Sequence, residues 1–329
     1  MLQKKKIAIL YGGYSSEIVV SQKSAEGICS FIDKERFDIY PVLILKEKWS
    51  VTINQKEYHI SKDDFSFTID REKIKFDCVY ITIHGTPGED GIFQSYLKML
   101  GIPHTTCDVL PAAITFNKFT CNSFLSKFGI NTAKSLLLRK NKQYNIETIE
   151  KSLGFPCFVK PNAGGSSFGV SKVNKIEDLD SAIEKSFNES SEVIIEEYID
   201  GMEITCGLYK TLEKSVIFPL TMVISNNEFF DFDAKYKGEA QEITPAPVDA
   251  VITKEIKNLS SSIYDLLSCK GFIRIDYILQ QNKIFLLEIN TTPGMTSASF
   301  IPQQIAAHGL NITEVFTDII EDAIKRIIE

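Results

Sequence analysis

The sequence predicts an α/β protein that passes into α+β units, with a small open α/β domain at its start. Three observations carry this. Strand-like apolar runs alternate with helix-like segments along the chain. At ~150 residues per domain, 329 residues allow two or three domains, each with its own core. Near residue 106 the pattern changes from alternating apolar strands and helices to short strands around a glycine-serine loop.

Taken in order, the run Lys-Ile-Ala-Ile-Leu10 is an apolar strand ending at Gly12-Gly13, and Ala25, Ile28, Cys29 and Ile32 recur at helical spacing after it. Residues 78–83 form another buried strand, followed by the loop from His84 to Gly91 and a short helix. A helix is expected near residues 117–129, a strand at 132–138, and an acidic amphipathic helix that stops at Gly154. Two strands flank the loop at 160–169, a helix covers 178–187, and 192–199 is a strand. The last third carries longer strands and then helices near 302–309 and 312–329. The second of these places Ile312, Val315, Phe316, Ile319, Ile320, Ala323 and Ile327 on one core-facing side. The expected domains are 1–106, 107–199 and 200–329.

The composition is that of a globular protein, with 44% hydrophobic and 24% charged residues. A net charge of −7 without a basic block argues against nucleic acid, whose phosphates need clustered Lys and Arg. No stretch approaches the ~18 apolar residues of a membrane span. The short apolar run after the N-terminal lysines stops at Gly12-Gly13, too early for a secretory leader, and reads as a first strand. The seven cysteines are scattered and form no C-x-x-C, so reduced thiols in a cytoplasmic protein are expected.

The strongest chemical signal is a pair of strands, Arg274-Ile-Asp276-Tyr-Ile and Phe285-Leu-Leu-Glu288-Ile-Asn290, joined by a polar turn at 280–283. Residues two apart on a strand share a face. Pairing centred on Asn282 would place Asp276 opposite Glu288 and Arg274 opposite Asn290. Two carboxylates and an amide oxygen then suit Mg²⁺, which takes its remaining positions from water and phosphate. Arg274 beside them can neutralise a developing oxyanion. The alternative is a solvated polar face on which the arginine and the acids simply pair.

The loop Lys160-Pro-Asn-Ala-Gly-Gly-Ser166-Ser167-Phe-Gly169 has glycines that let backbone approach phosphate, hydroxyl donors and a lysine charge, although it is neither a Walker A loop nor G-x-G-x-x-G. A flexible turn is the competing reading. The strand end Glu196-Glu197-Tyr-Ile199 offers backbone groups and an acid to an adenine edge, and Glu203 can receive ribose hydroxyls. A solvated strand end explains the same residues.

Together these pieces resemble the ATP-grasp family and, within it, the D-alanine–D-alanine ligases. The likeness runs through six motifs in order: Gly12-Gly13-Tyr-Ser-Ser-Glu17 with Val20-Ser21, His84-Gly to Gly91, Lys160-Pro to Gly169, Asp233-Ala-Lys235-Tyr236, Arg274-Ile-Asp276, and Glu288-Ile-Asn290 to Gly294 and Ser299. The resemblance implies three domains with ATP between the last two. It also implies ATP-dependent joining of two D-alanines through an acyl phosphate, for peptidoglycan precursors. Glu17 would hold the first substrate's ammonium, with Ser166 and Tyr236 orienting Glu17 and the lid. Lys118, Lys160 and the Ser166-Ser167 loop would contact phosphates, and Glu196, the backbone of Glu197 and Ile199, and Glu203 would hold adenosine. Arg274 and the Gly294 amide would form the oxyanion site. Asp276, Glu288 and Asn290 would bind two Mg²⁺, with Mn²⁺ able to substitute. Lys235 and Ser299 would hold the second substrate's carboxylate, and a homodimer is implied.

Ser299 lies just before a helix, where an anion is favoured. His84 ends a buried strand, which suits a core histidine, but the acidic loop after it favours a place beside the substrate. Residues 230–247 form a polar loop suited to close over the site and exclude water. Where the family often has Ser-Arg-Glu-Gly before the serines, this chain has Asn162-Ala-Gly-Gly165, which implies looser closure over ATP. Phe300 stands where the family varies and would line the second-substrate pocket. Lys235-Tyr236, absent from ligases that make D-Ala–D-lactate, favours D-alanine there. The alternatives are a D-Ala–D-Ser, D-Ala–D-lactate or other carboxylate–amine ligase, a nucleotide-binding protein without catalysis, and a dinucleotide binder. The last is disfavoured by the missing G-x-G-x-x-G.

Overall fold

In the computed structural model, which describes residues 3–165, 167–225 and 240–328, the first apolar run is strand β1 (Lys5–Gly12), followed by helix α1 (Ile18–Phe31). Both faces of β1 are covered, as expected of a strand that is nearly all apolar. Ile7 and Ile9 pack with Ala25 and Ile28 of α1, and Ala8 and Leu10 face a second core. That second core also contains Phe65, Phe67, Phe76 and Phe93. Strands β2 (Phe37–Ile44), β3 (Trp49–Ile53) and β4 (Lys56–His59) follow, then a separate ladder of β5 (Phe67–Ile69) and β6 (Glu72–Ile74), then β7 (Cys78–Ile81). The sheet order is β4-β3-β2-β1-β7; β1 lies parallel to both β2 and β7, and the β2–β3 and β3–β4 pairs are antiparallel. This is the open α/β unit expected of the first third. β3 to β6 are short strands in a stretch for which the sequence offered no clear period.

Helices α2 (Ile92–Met99), α3 (Val109–Phe116) and α4 (Lys118–Ser126) lead out of this sheet. The Asn117 side chain accepts from Thr120 N–H and so caps α4, which fixes where Lys118 enters the structure. The second sheet is built from β8 (Ser135–Arg139), helix α5 (Ile146–Leu153), β9 (Cys157–Pro161), β10 (Ser171–Val173), helix α6 (Leu179–Phe187) and β11 (Glu192–Glu197). Its order is β10-β9-β11-β8, antiparallel throughout, and α5 ends at Gly154 as the pattern predicts.

The third sheet comprises β12 (Met202–Lys210), β13 (Ser215–Ile217), β14 (Thr221–Ser225), β15 (Ala240–Ile243), β16 (Gly271–Gln280) and β17 (Lys283–Asn290), with helix α7 (Ala250–Leu266) between β15 and β16. Its order is β15-β14-β12-β16-β17, with β13 beside β12. Helices α8 (Phe300–His308) and α9 (Ile312–Ile328) close the chain. Val315, Phe316, Ile319, Ile320 and Ala323 of α9 are buried as expected, and Ile312 packs against the same core. That core also holds Ile7 and Tyr80 of the first sheet and Tyr209 and Phe272 of the third. The last helix therefore joins the beginning of the chain to its end.

Candidate functional site

The acidic hairpin has the expected pairing at its functional end: Arg274 lies opposite Asn290 and Asp276 opposite Glu288. It reaches that register by an unexpected route. The turn is two residues, closed by the Gln280–Lys283 pair, with Gln281 in the left-handed region at φ 56°. Continued regularly, this ladder would set Leu287 against Asp276 and turn Glu288 and Asn290 to the other face. A β-bulge between Asp276 and Tyr277 absorbs the offset: Tyr277 pairs with Leu286, Asp276 pairs with Glu288, and Leu287 is the extra residue. The bulge is what collects the two carboxylates, the amide and the guanidinium on one face.

Arg274 grips Asp276, with Nε 2.9 Å from Oδ1 and Nη2 2.8 Å from Oδ2, and its guanidinium sits 5.3 Å from the Phe300 ring centre. Burial alone would pull the Arg274 pKa down, but the attraction of Asp276 and then Glu288 outweighs it, so the guanidinium stays charged. Lys118 Nζ lies 3.5 Å from Glu288 Oε2 and donates to the Gly164 carbonyl at 2.7 Å. Both acids thus face cations, as the solvated-face alternative would also have it, but they do so in a cleft: Asp276 is only 4% exposed. Asn290 Oδ1 accepts from Thr292 N–H at 3.0 Å. Among the described residues no group of three or more His, Cys, Asp or Glu side chains is placed to hold a metal. The opposed Asp276 and Glu288 with Asn290 fit a hard cation that completes its shell with phosphate and water, and do not fit a closed cage of protein ligands.

Two cavities meet at this face. One, about 330 Å³, runs between the second and third sheets and is lined by Lys160, Ser167, Glu196, Glu197, Ile199 and Glu203 among others. The other, about 350 Å³, is lined by Glu17, His84, Asn290, Gly294, Ser299 and Phe300 among others. Both are within the range of ligand sites. Lys118, Gly164, Gly165, Arg274, Glu288 and Phe300 line both, so these residues form the shared wall.

On the first side, Lys160 Nζ is 2.6 Å from Glu196 Oε2, and both residues are buried. Asn122 Nδ2 donates to Glu196 Oε1 at 3.2 Å. Glu196 therefore fixes Lys160 at the cavity wall, a contact the sequence did not indicate. Glu197 N–H donates to the Lys134 carbonyl at 3.0 Å, and Glu197 Oε1 accepts from Lys134 N–H at 2.9 Å.

On the second side, Glu17 is the N-cap residue of α1 and is 4% exposed. The glycine loop closes against it: a Cβ on Gly165 would lie 2.8 Å from Glu17 Oε1. His84 Nε2 is 3.3 Å from Ser24 Oγ, and burial depresses the His84 pKa against the opposing pull of Glu17, so the imidazole is neutral on the cavity wall. Ser299 is the N-cap of α8, which begins at Phe300, two residues earlier than the sequence pattern places it. Its hydroxyl accepts from Thr296 N–H at 3.0 Å and lies 3.1 Å from where a Cβ on Gly294 would be. Ser166, Lys235 and Tyr236, with residues 230–239 of the expected closing loop, lie outside the described residues, and residues 240–243 of that loop are instead strand β15.

Several residues that build this site escaped the sequence pattern. Asn162 takes Phe119 N–H at 2.8 Å and donates to Glu192, locking the glycine loop to α4 and β11. Ser24 Oγ accepts from Met295 N–H at 3.3 Å, and a Cβ on Gly27 would lie 2.1 Å from the Met295 carbonyl oxygen. A glycine inside an amphipathic helix was the available signal for such a close approach. Alanine at 27 would favour the helix by ~1 kcal/mol, yet overpacking against backbone costs about 1–3 kcal/mol. Gly27→Ala is therefore expected to lower the unfolding midpoint in calorimetry. An unchanged or raised midpoint would show that the Met295 loop yields freely.

Residues 6–107 match the family model for the N-terminus of D-ala D-ala ligases, and residues 124–321 match that for the C-terminus. The chain is 56% identical over 321 residues to the D-alanine–D-alanine ligase of Phocaeicola vulgatus, covering 97% of this chain and 99% of that protein. It superposes on the VanG D-Ala:D-Ser ligase from Enterococcus faecalis with a TM-score of 0.87 at 31% identity, over 98% of this chain and 100% of that one. It superposes on a D-alanine–D-alanine ligase from Bacillus anthracis complexed with ATP with a TM-score of 0.78 at 30% identity, over 98% of each chain.

Proposed function

The chain belongs to the D-ala D-ala ligase family, and from that premise we propose how its residues join two D-alanines at the expense of ATP. The reaction yields D-alanyl-D-alanine, ADP and phosphate for peptidoglycan precursor synthesis. One observation carries the assignment of residues: two cavities share a wall made of Arg274, Lys118 and Glu288. A reaction that moves a phosphoryl group from a nucleotide to a small carboxylate needs such a wall, because the transferring group must touch both sites at once.

ATP occupies the first cavity, its adenosine against Glu196, the Glu197 carbonyl, Ile199 and Glu203. Its phosphates lie toward Lys118, Lys160 and the loop of Ser166 and Ser167. The first D-alanine occupies the second cavity with its ammonium at Glu17, oriented by Ser166 and Tyr236, and with its carboxylate toward Arg274. An oxygen of that carboxylate attacks the γ-phosphorus, the bond to the β-bridging oxygen breaks, and ADP leaves. The second D-alanine, its carboxylate held by Ser299 and Lys235 and its methyl group against Phe300, presents its neutral amine to the acyl phosphate carbon. The tetrahedral oxyanion lies between Arg274 and the Gly294 N–H, and it collapses as the bond from carbon to the phosphate oxygen breaks, the departing phosphate taking the proton lost from nitrogen. His84, neutral and hydrogen-bonded to Ser24, shapes the wall without adding charge. Asp276, Glu288 and Asn290 would hold Mg²⁺, two ions with Mn²⁺ as a substitute, which supply neutralising charge to the triphosphate. The domain limits 1–106, 107–199 and 200–329, cytoplasmic localisation and a homodimer belong to the same proposal. No helix among the described residues is long and apolar enough to cross a membrane.

A D-Ala–D-Ser ligase is the second reading, since the VanG ligase shares the fold. Identities of 48–56% to relatives named D-alanine–D-alanine ligase favour D-alanine at both positions. Phosphate release should be measured with ATP, Mg²⁺ and a panel of D-alanine, D-serine, D-lactate and L-alanine, with products identified by mass. D-alanine is expected to give the highest kcat/KM and the homodipeptide. Release indifferent to D-alanine would overturn the proposal, and preferential D-Ala–D-Ser formation would select the second reading.

A further inference from the structure

We propose that Glu89, in its un-ionised form, is a positioning residue that holds the Gly294 loop against the wall of the first-substrate site. Glu89 lies on the loop after β7, is 8% exposed, and lines the second cavity. Its Oε1 is 2.5 Å from Thr292 Oγ1, and its Oε2 accepts from Gly85 N–H at 2.7 Å. Thr292 stands two residues before Gly294 and gives its own N–H to Asn290. A fixed Thr292 therefore sets both the proposed oxyanion donor and the last residue of the metal-facing strand. The carboxyl bridges two segments about 200 residues apart in the chain, one from the first sheet and one from the third.

Its protonation follows from what surrounds it. Glu17 faces it across Gly85, where a Cβ would lie 3.2 Å from Glu17 Oε2. Lys118 enters from α4, Lys23 from α1 and His84 from its own loop, while Arg274 and Glu288 stand on the strands across the cavity. Burial and then Glu17 push the Glu89 carboxyl up to about 8, against the hydrogen bonds from Thr292 and Gly85 and the attraction of Lys118. Oε1 accepts from the Thr292 hydroxyl and Oε2 accepts from Gly85 N–H, so each oxygen has a partner. With Glu89 un-ionised, Glu17 meets the ammonium without a second charge beside it across Gly85. Ionisation of Glu89 would set a second charge beside Glu17.

This inference rests on the proposed ligase reaction. The test measures dipeptide formation with ATP and Mg²⁺ from pH 6.5 to 9.5 for the full chain, Glu89→Gln and Glu89→Ala. The unaltered protein is expected to lose kcat/KM for D-alanine as pH rises through about 8. Glu89→Gln keeps both hydrogen bonds without a titrating proton, so it should stay within about threefold at pH 7 and lack that fall. Glu89→Ala should lose about 10-fold to 100-fold at pH 7. Three results overturn the inference: a Gln variant as damaged as Ala, a Gln variant with the same alkaline fall, or an unaltered protein flat through pH 9. If Ala does not fold, the Gln profile alone decides. An unaltered protein that makes no dipeptide at all would instead sink the ligase reading.

Discussion

Asp276→Asn and Glu288→Gln are each expected to lower turnover by about 10³-fold or more, ~4 kcal/mol of barrier, while leaving the fold intact. The two acids face each other across the β16–β17 pair, Asp276 on the nucleotide cavity and Glu288 on the wall common to both cavities. The amide variants keep shape but remove the charge that a hard cation needs, and Asp276→Asn also gives up one of the two oxygens that accept from Arg274. Glu288→Gln also releases Lys118 from its ion pair at 3.5 Å, so part of its loss should appear as a raised KM for ATP. Excess Mg²⁺ or Mn²⁺ should recover some activity in Glu288→Gln, and chelation should abolish it in the unaltered chain. The measurement is steady-state phosphate release against metal concentration, with circular dichroism melts as the folding control. Activity within tenfold of the unaltered protein in both variants would mean that this face is only an ion-paired polar surface.

The hairpin shows how far a sequence can be read and where it stops. The alternation of Arg274 with Asp276, and of Glu288 with Asn290, settles which residues share a face on each strand. It does not settle how the strands are offset. Phe285-Leu286-Leu287 is uniformly apolar, with no glycine to mark a bulge, so the extra residue left no local trace. Only the requirement that the four polar side chains converge demands it. The first strand was legible for the opposite reason: β1 is apolar on both faces because α1 and α9 cover one and the aromatic core the other. The strands β3 to β6 are only three to five residues long, so no period could develop.

Contacts between distant segments were least visible. Lys160 and Glu196 could each be assigned to a nucleotide from sequence, but their mutual ion pair at 2.6 Å depends on β9 and β11 lying side by side. Gly27 against Met295 and Glu89 against Thr292 depend on the first sheet docking onto the end of β17. Such residues read in the sequence as an ordinary helix glycine and a loop acid. Their work is to hold backbone in place, and residue type alone does not announce it.

Arg274 carries the second large effect. Arg274→Lys and Arg274→Ala are expected to lower kcat by about 10³-fold, with KM for ATP changed far less, because the oxyanion forms only after phosphoryl transfer has begun. Lysine should rescue little: a single ammonium cannot reproduce the fork that reaches Asp276 through Nε and Nη2 while lying over the Phe300 ring. A competing cause must be separated. Removing Arg274 also strips Asp276 of its main partner, which would disturb the metal-facing carboxylate instead. A double-mutant cycle with Asp276→Asn distinguishes the two. If Arg274 acts only through Asp276, the double variant is no slower than Asp276→Asn alone. If it stabilises the oxyanion directly, the double variant falls further, and the kcat deficit of Arg274→Lys persists at saturating Mg²⁺. The second pattern is the expected one, since Arg274 lines the amino-acid cavity as well as the nucleotide cavity, whereas Asp276 lines only the latter.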